Sequence, residues 1–139
     1  MLFNLNEFLR AVSFALDFVE IDILGVSSNH GKRTAYTSFY TRQALQEISG
    51  FEDITEWASN HHEKLNGQGY PFGKTAEALD FNSRLIACLD IYEALTEERP
   101  YRRALSHRSA MDILNKMKEE GFIDSKITQD IDNVFNIKS

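Results

Sequence analysis

The residues with the clearest chemical potential lie in the middle of the chain, where His61 and His62 stand side by side. They run directly into residues 63–71, which read EKLNGQGYP. Imidazole is the commonest protein ligand for transition metals, and these are two of only four histidines in the sequence. The pair indicates a metal site facing a shaped loop. A pair divided between core and surface is the alternative.

The number of ions expected at this pair depends on the local structure. Hydrophobic spacing predicts a helix over residues 51–63, and successive residues on a helix are rotated by about 100°. His61 and His62 would then not point at one ion along the same direction, but could each reach one of two ions. The spacing therefore favours a binuclear centre over a single tetrahedral zinc.

Asp90 is the next candidate ligand. It lies on an apolar helix face, four residues after Ile86 and four before Ala94. Ionised carboxylates are seldom buried there unless they are paired or bind a cation. A metal would satisfy Asp90, and Arg84 or a backbone cap are the alternative partners.

Cationic side chains near these residues could hold a phosphate ester. Lys64 adjoins the histidine pair, while Arg99 and Arg102 flank Pro100. Guanidinium groups match phosphate oxygens in a forked geometry. Each cation taken singly is also compatible with a solvated surface charge. His107, in a polar run, is predicted to lie on the surface.

The elements that must position these residues are predicted to be helices. Apolar residues recur at steps of three and four, and no segment sustains a period of two. The period is lost over residues 65–81, where three of the seven glycines and one of the two prolines occur, which predicts an ordered functional loop. We expect an all-α bundle with helices over 5–24, near 30–48, 51–63, from Asn82 or Ser83 onward, from a cap at Ser106 to Gly121, and over 127–135.

Length and composition restrict the class of protein. A chain of 139 residues with 42% hydrophobic residues suits one folded domain, residues 1–139. A net charge of −6 argues against a DNA or RNA polymer as partner. With no basic leader and no run of about 18 apolar residues, neither export nor membrane insertion is expected. Cys88, the single cysteine, is expected in the core, and because one cysteine cannot form an internal disulfide, a cytoplasmic protein is expected.

Taken together, these motifs closely resemble the HD-GYP subgroup of the HD-domain phosphohydrolases. The segments HHEKLNGQGYP at 61–71, SRLI at 83–86, DIYEALT at 90–96 and RPYR at 99–102 occur in the family's order. The resemblance implies a compact helical bundle of the HD-domain type, of about five to six helices and shorter than the family's. It also implies a metal centre, usually iron or manganese, that hydrolyses cyclic di-GMP.

The resemblance also implies roles for single residues. By motif position His61 and His62 resemble the paired metal histidines, and Asp90 resembles the metal-binding aspartate. Residues 28–35, SNHGKRTA, are similar to the family's first histidine motif, which would make His30 a ligand. The signature loop near the substrate would consist of Gly69, Tyr70 and Pro71. A homo-oligomer, or a protein partner that binds through this loop, is a further possibility.

The chain departs from the family at several positions. It contains no His-Asp dipeptide, and no histidine lies between His30 and His61, as though about two helices were deleted. Val26 stands where three-metal members carry a glutamate, which argues against a third ion. Asn66 replaces the usual loop aspartate, which keeps a hydrogen-bonding side chain without its charge.

These observations lead to one main hypothesis and two alternatives. The main hypothesis is a cyclic di-GMP phosphodiesterase with two divalent ions, iron or manganese rather than zinc, in which Lys64, Arg99 and Arg102 orient phosphate. The first alternative is a catalytically degenerate module that binds a cyclic dinucleotide or a protein. The second is an internally deleted chain whose exposed core promotes self-association.

Overall fold

The computed structural model of the protein describes residues 30–98 and 103–136, and of residues 30–37 only the backbone. Within these ranges five α-helices are present, which confirms the all-α prediction. The helix predicted over residues 5–24 lies outside the described residues. The helices are α1 His30–Leu45, α2 Glu52–Asn60, α3 Phe81–Thr96, α4 His107–Glu119 and α5 Ser125–Phe135.

None of the helices in the described part of the chain combines the length and the apolar character needed to cross a bilayer. Between α2 and α3 the backbone forms one 3-10 turn, Ala76–Ala78, and one isolated antiparallel bridge that joins Asn66 to Thr75. The loop predicted over residues 65–81 is therefore confirmed as an ordered segment.

The chain forms two compact units, which divide after Ser59. In the first unit, Arg42 on α1 donates a hydrogen bond to the Ser59 hydroxyl at 3.2 Å and forms an ion pair with Glu56. Glu52 and Asp53 occupy the first turn of α2, where carboxylates complement the positive end of the helix dipole. The single domain over residues 1–139 stays a prediction.

The second unit is built from α3, α4 and α5, each of which contacts the other two. Their apolar faces meet in one core, formed by Cys88, Met111, Leu114, Ile123, Ile127 and Ile131. Cys88 is 1% exposed, and burial raises the pKa of its thiol to about 11. The prediction that Cys88 is a core residue is confirmed.

Acidic and hydroxyl side chains begin the helices of this unit. Ser106 accepts the backbone N–H of Ser109 at 3.2 Å, which confirms the predicted cap of α4. The helix predicted to begin at Asn82 or Ser83 begins at Phe81, and Asp80 caps it by accepting the N–H of Ser83 at 2.8 Å. A capping side chain must precede the helix to reach its first free N–H groups.

His107 is not the solvated surface residue that its polar neighbours suggested. Its Nδ1 lies 3.0 Å from the Tyr92 hydroxyl on α3, and its Nε2 lies 2.9 Å from a carboxylate oxygen of Asp132 on α5. Tyr92 also stacks on Phe135, with ring centroids 4.9 Å apart. One imidazole at the start of α4 therefore joins all three helices of the unit.

Replacing His107 with alanine is expected to lower the free energy of unfolding by about 1–2 kcal/mol. Two hydrogen bonds are lost, and each is typically worth about 1 kcal/mol net. The comparison is Arg108→Ala, because Arg108 is an exposed neighbour on the same helix. Urea unfolding followed by circular dichroism measures both variants. Equal midpoints for the two would contradict the stabilising role of His107.

Candidate metal centre

The paired histidines lie just beyond the end of a helix. The last residue of α2 is Asn60, whose carbonyl accepts the N–H of Glu63 at 2.9 Å, so His61 and His62 occupy a turn. Their ring centroids are 3.9 Å apart, with planes inclined at 46°. The helical rotation used to predict two separate ions does not apply here, because the helix ends before the pair. The number of ions stays a prediction.

Asp90 on α3 faces the two histidines. One candidate ligand atom from each of His61, His62 and Asp90 lies within 4.8 Å of the other two, and all three side chains are half-buried. Imidazole nitrogens bind first-row metals at about 2.0–2.1 Å, so two donors on one ion lie at most about 4.2 Å apart, slightly less than the 4.8 Å limit of this cluster. The donor set therefore fits a divalent transition metal.

Arg84 was the alternative partner for Asp90, but its guanidinium has other partners. Nε donates to the carbonyl of Leu79 at 2.9 Å, Nη2 donates to that of Ala76, and Nη1 lies 3.3 Å from the Asp124 carboxylate. Arg84 therefore fixes the segment before α3 to the start of α5.

Glu63 is a site residue that sequence reasoning missed. Although it adjoins the histidines, its side chain is only 4% exposed and faces the loop. One carboxylate oxygen accepts the N–H of Phe72 at 2.6 Å, and the other accepts the N–H of Lys74 at 2.9 Å. The available signal was an acidic residue directly before a glycine-rich loop, because tight loops leave N–H groups that need acceptors.

The loop folds back on the histidine segment. The Tyr70 N–H donates to the carbonyl of His62 at 3.3 Å, and the two rings lie 5.1 Å apart at an angle of 32°. Gly69 sits so close that a Cβ there would lie 2.2 Å from the Lys64 nitrogen. The predicted Gly69, Tyr70 and Pro71 loop is thus next to a candidate ligand, and the Tyr70-Pro71 peptide is cis.

Asn66 takes a structural role in the same loop. Its side-chain oxygen accepts the N–H of Gln68 at 3.1 Å, and its backbone pairs with Thr75 across the neck of the loop. A neutral amide oxygen accepts this bond as a carboxylate would. Asn66 therefore supplies this loop contact without a charge.

The remaining predicted residues are placed only in part. Lys64 Nζ lies 4.0 Å from the ring centroid of Phe122. Arg99 and Arg102 lie outside the described residues, as does the side chain of His30, whose backbone begins α1. The structure therefore brings together His61, His62 and Asp90, with Tyr70 beside them.

Comparison with known proteins gives the family. The HD-domain family model matches residues 26–127 of the 139. A 3'3'-cGAMP-specific phosphodiesterase of Vibrio cholerae is 42% identical over 87 residues, which cover 63% of this chain and 20% of that protein. A second 3'3'-cGAMP-specific phosphodiesterase of Vibrio cholerae is 40% identical over 55% of this chain and 17% of its own length.

A cyclic di-GMP phosphodiesterase of Pseudomonas aeruginosa is 35% identical over 53% of this chain and 17% of its own length. The matched segments thus span a fifth or less of these relatives. The family expectation from the motifs is confirmed. With the HD-domain model matching more than half of its residues, this chain belongs to the HD-domain family.

Proposed function

We propose that this chain carries a metal-dependent phosphodiesterase site for a cyclic dinucleotide. The observation that carries the proposal is that one candidate ligand atom from each of His61, His62 and Asp90 lies within 4.8 Å of the other two. The loop that holds Tyr70 against His62 lies beside them. Membership of the HD-domain family and relatives named as cyclic dinucleotide phosphodiesterases support the proposal.

In this proposal His61, His62 and Asp90 hold a divalent cation. Two histidines with one carboxylate occur both in non-haem iron(II) sites and in catalytic zinc sites, so the proposal of iron or manganese rests on the family resemblance. His30 is proposed as a further ligand, and a second ion remains part of the proposal. When bound, the metal lowers the pKa of water and stabilises negative charge on phosphoryl oxygens.

The other residues of the proposed site act on the substrate. Tyr70 presents a ring and a hydroxyl next to His62, where they can contact a base or a phosphate oxygen. Lys64, Arg99 and Arg102 are proposed to orient phosphate. Lys64 would have to leave the Phe122 ring to do so, since its Nζ lies 4.0 Å from that ring's centroid.

The substrate class follows from the names of the relatives. Two of them are named for 3'3'-cGAMP and others for cyclic di-GMP. Both molecules contain two phosphodiester linkages in one ring, so a site for one has the phosphate chemistry needed for the other. We propose cyclic dinucleotides as the class, with cyclic di-GMP and 3'3'-cGAMP as the two substrates to compare.

The test begins with protein purified without oxygen and loaded with Fe²⁺ or Mn²⁺. Each cyclic dinucleotide is then incubated with the protein, and the linear product is separated by chromatography. We expect hydrolysis by the wild type and none by Asp90→Ala. Folded, metal-loaded protein that leaves both substrates intact would contradict the proposed activity.

A second candidate function is binding without hydrolysis. It is favoured by the lack of any His-Asp dipeptide in the sequence, which removes the pair after which the family is named. Calorimetry with the same two dinucleotides separates the candidates. Saturable binding without a linear product supports a binding module, whereas neither binding nor hydrolysis contradicts both.

A further inference from the structure

Glu63 is a buried carboxylate whose two oxygens both serve one loop. Its side chain is 4% exposed, and its oxygens accept the N–H groups of Phe72 at 2.6 Å and Lys74 at 2.9 Å. Burying a carboxylate is costly unless hydrogen bonds compensate it, and bonds to an ionised acceptor are the stronger kind. The two amides satisfy this requirement, so the carboxylate and the loop stabilise each other.

These two bonds control the part of the loop that reaches the histidines. Phe72 and Lys74 follow the Tyr70-Pro71 peptide. Because their amides are bound to Glu63, the loop folds back toward the histidine turn. Within the closed loop, the Tyr70 N–H donates to the His62 carbonyl at 3.3 Å. The Tyr70 ring then lies 5.1 Å from the His62 ring.

Gly69 allows the same closure on the backbone side. A Cβ at this position would lie 2.4 Å from the Glu63 Cα and 2.2 Å from the Lys64 nitrogen. The loop backbone is therefore packed directly on residues 63 and 64. Glu63 therefore contacts the loop twice. Its carboxylate binds the amides of Phe72 and Lys74, and its backbone lies against Gly69.

We propose that Glu63 is a positioning residue, which holds Tyr70 against His62 and so sets the orientation of that imidazole. Its importance for metal and substrate rests on the proposed function. Glu63 acts through the loop amides and Tyr70, and both of its carboxylate oxygens are engaged by those amides. A residue adjoining two candidate ligands thus supports the site without being a ligand itself.

The deciding variant is Glu63→Gln in the full chain. Glutamine keeps the volume of glutamate, but its NH2 group meets one of the two N–H donors, so only one acceptor remains. A role in packing alone would survive this change. Three measurements follow the loop and the site: the rate of trypsin cleavage after Lys74, nuclear Overhauser contacts between Tyr70 and His62, and the affinity and absorption spectrum of Co²⁺.

We expect cleavage after Lys74 to become about tenfold faster, since a hydrogen bond to a charged group is lost. The Tyr70–His62 contacts should weaken, and Co²⁺ affinity should fall about tenfold with a changed spectrum, as for other groups that orient ligands. Two controls keep the loop intact. Asp130→Asn repeats the charge change at an exposed position of α5, and Ile131→Val repeats a modest loss of stability in the core.

The outcomes separate this inference from the proposed function. If cleavage and ring contacts in Glu63→Gln match those of the wild type, the positioning role is overturned. If the wild type binds no Co²⁺ and cleaves neither dinucleotide, the proposed function fails, while a loosened loop in Glu63→Gln still supports the positioning of Tyr70. Should Glu63→Gln not fold, Glu63→Asp, with both oxygens on a shorter stem, is expected to show smaller changes of the same kind.

Discussion

Replacing Asp90 with alanine is expected to weaken binding of Mn²⁺ or Fe²⁺ by about 100-fold or more. Groups that merely orient a ligand cost about 10–100-fold in metal affinity when they are removed, and Asp90 is itself a candidate ligand within 4.8 Å of the donors of His61 and His62. Alanine removes the only carboxylate of this three-residue cluster. Calorimetry under anaerobic conditions measures the affinity directly.

Thermal unfolding tests the same prediction independently, because a bound metal stabilises the folded state. A metal present at 100 times its dissociation constant stabilises the folded wild type by about 2.7 kcal/mol. That stabilisation should disappear in Asp90→Ala, in His61→Ala and in His62→Ala. Asp112→Ala is the matched control, because Asp112 is an exposed carboxylate on α4.

The outcome that contradicts the candidate centre is equally clear. If Asp90→Ala and Asp112→Ala bind metal with the same affinity, Asp90 is not a ligand. If only the histidine variants lose metal affinity, the metal binds at the histidine pair without a ligand from α3. Loss in all three cluster variants, with Asp112→Ala unchanged, is the expected pattern.

Replacing Gly69 with alanine is expected to displace the loop and to lower the free energy of unfolding by about 3 kcal/mol, the upper end of the usual cost of overpacking. The added Cβ would lie 2.2 Å from the Lys64 nitrogen and 2.4–2.5 Å from the Glu63 backbone. These are backbone atoms, so no side-chain rotation can relieve the clash. The loop must instead move away from residues 62–64.

Amide spectra recorded by NMR show where the displacement falls. In Gly69→Ala, signals from residues 62–75 should shift, including Tyr70, whose N–H bonds to the His62 carbonyl. The control is Gly121→Ala. Gly121 has a φ of +73° but no atom within 4 Å of its added Cβ, so this variant is strained without a clash. It should lose about 1–2 kcal/mol and leave the loop signals unchanged.

Unchanged loop signals in Gly69→Ala would contradict the close approach. Shifts that spread equally over all residues of the second unit would indicate general destabilisation instead. The expected result is a change confined to the loop and the histidine turn, together with weakened contacts between Tyr70 and His62.

Local sequence patterns predicted much of the fold. Apolar spacing predicted the helices that became α1 to α5, although α2 ends at Asn60 rather than extending through the histidines. A helix ends where its next intrahelical hydrogen bond is less favourable than bonds to other partners. The spacing of apolar residues carries no information about that competition. Ser106 was identified as a cap because its spacing to the helix is local, whereas the start of α3 was predicted at Asn82 or Ser83, just after its first residue, Phe81.

Contacts between distant segments were harder to predict. The polar neighbours of His107 are local, and they suggested a surface position. Its partners Tyr92 and Asp132 come from two other helices, 15 and 25 residues away in the chain. Glu63 was overlooked for a related reason, since its acceptor role depends on where the loop amides point after the chain has turned back.

The sequence by itself determined the family, the helical class and the identity of the three clustered donors. These depend on residue types and on short spacings, which can be read without knowing how distant segments pack. Only the tertiary structure decided that the paired imidazoles lie in a turn facing Asp90, that Tyr70 lies against His62 and that Glu63 serves the loop. Each of these requires packing between segments far apart in sequence, and the energy of such packing depends on shape and distance in three dimensions.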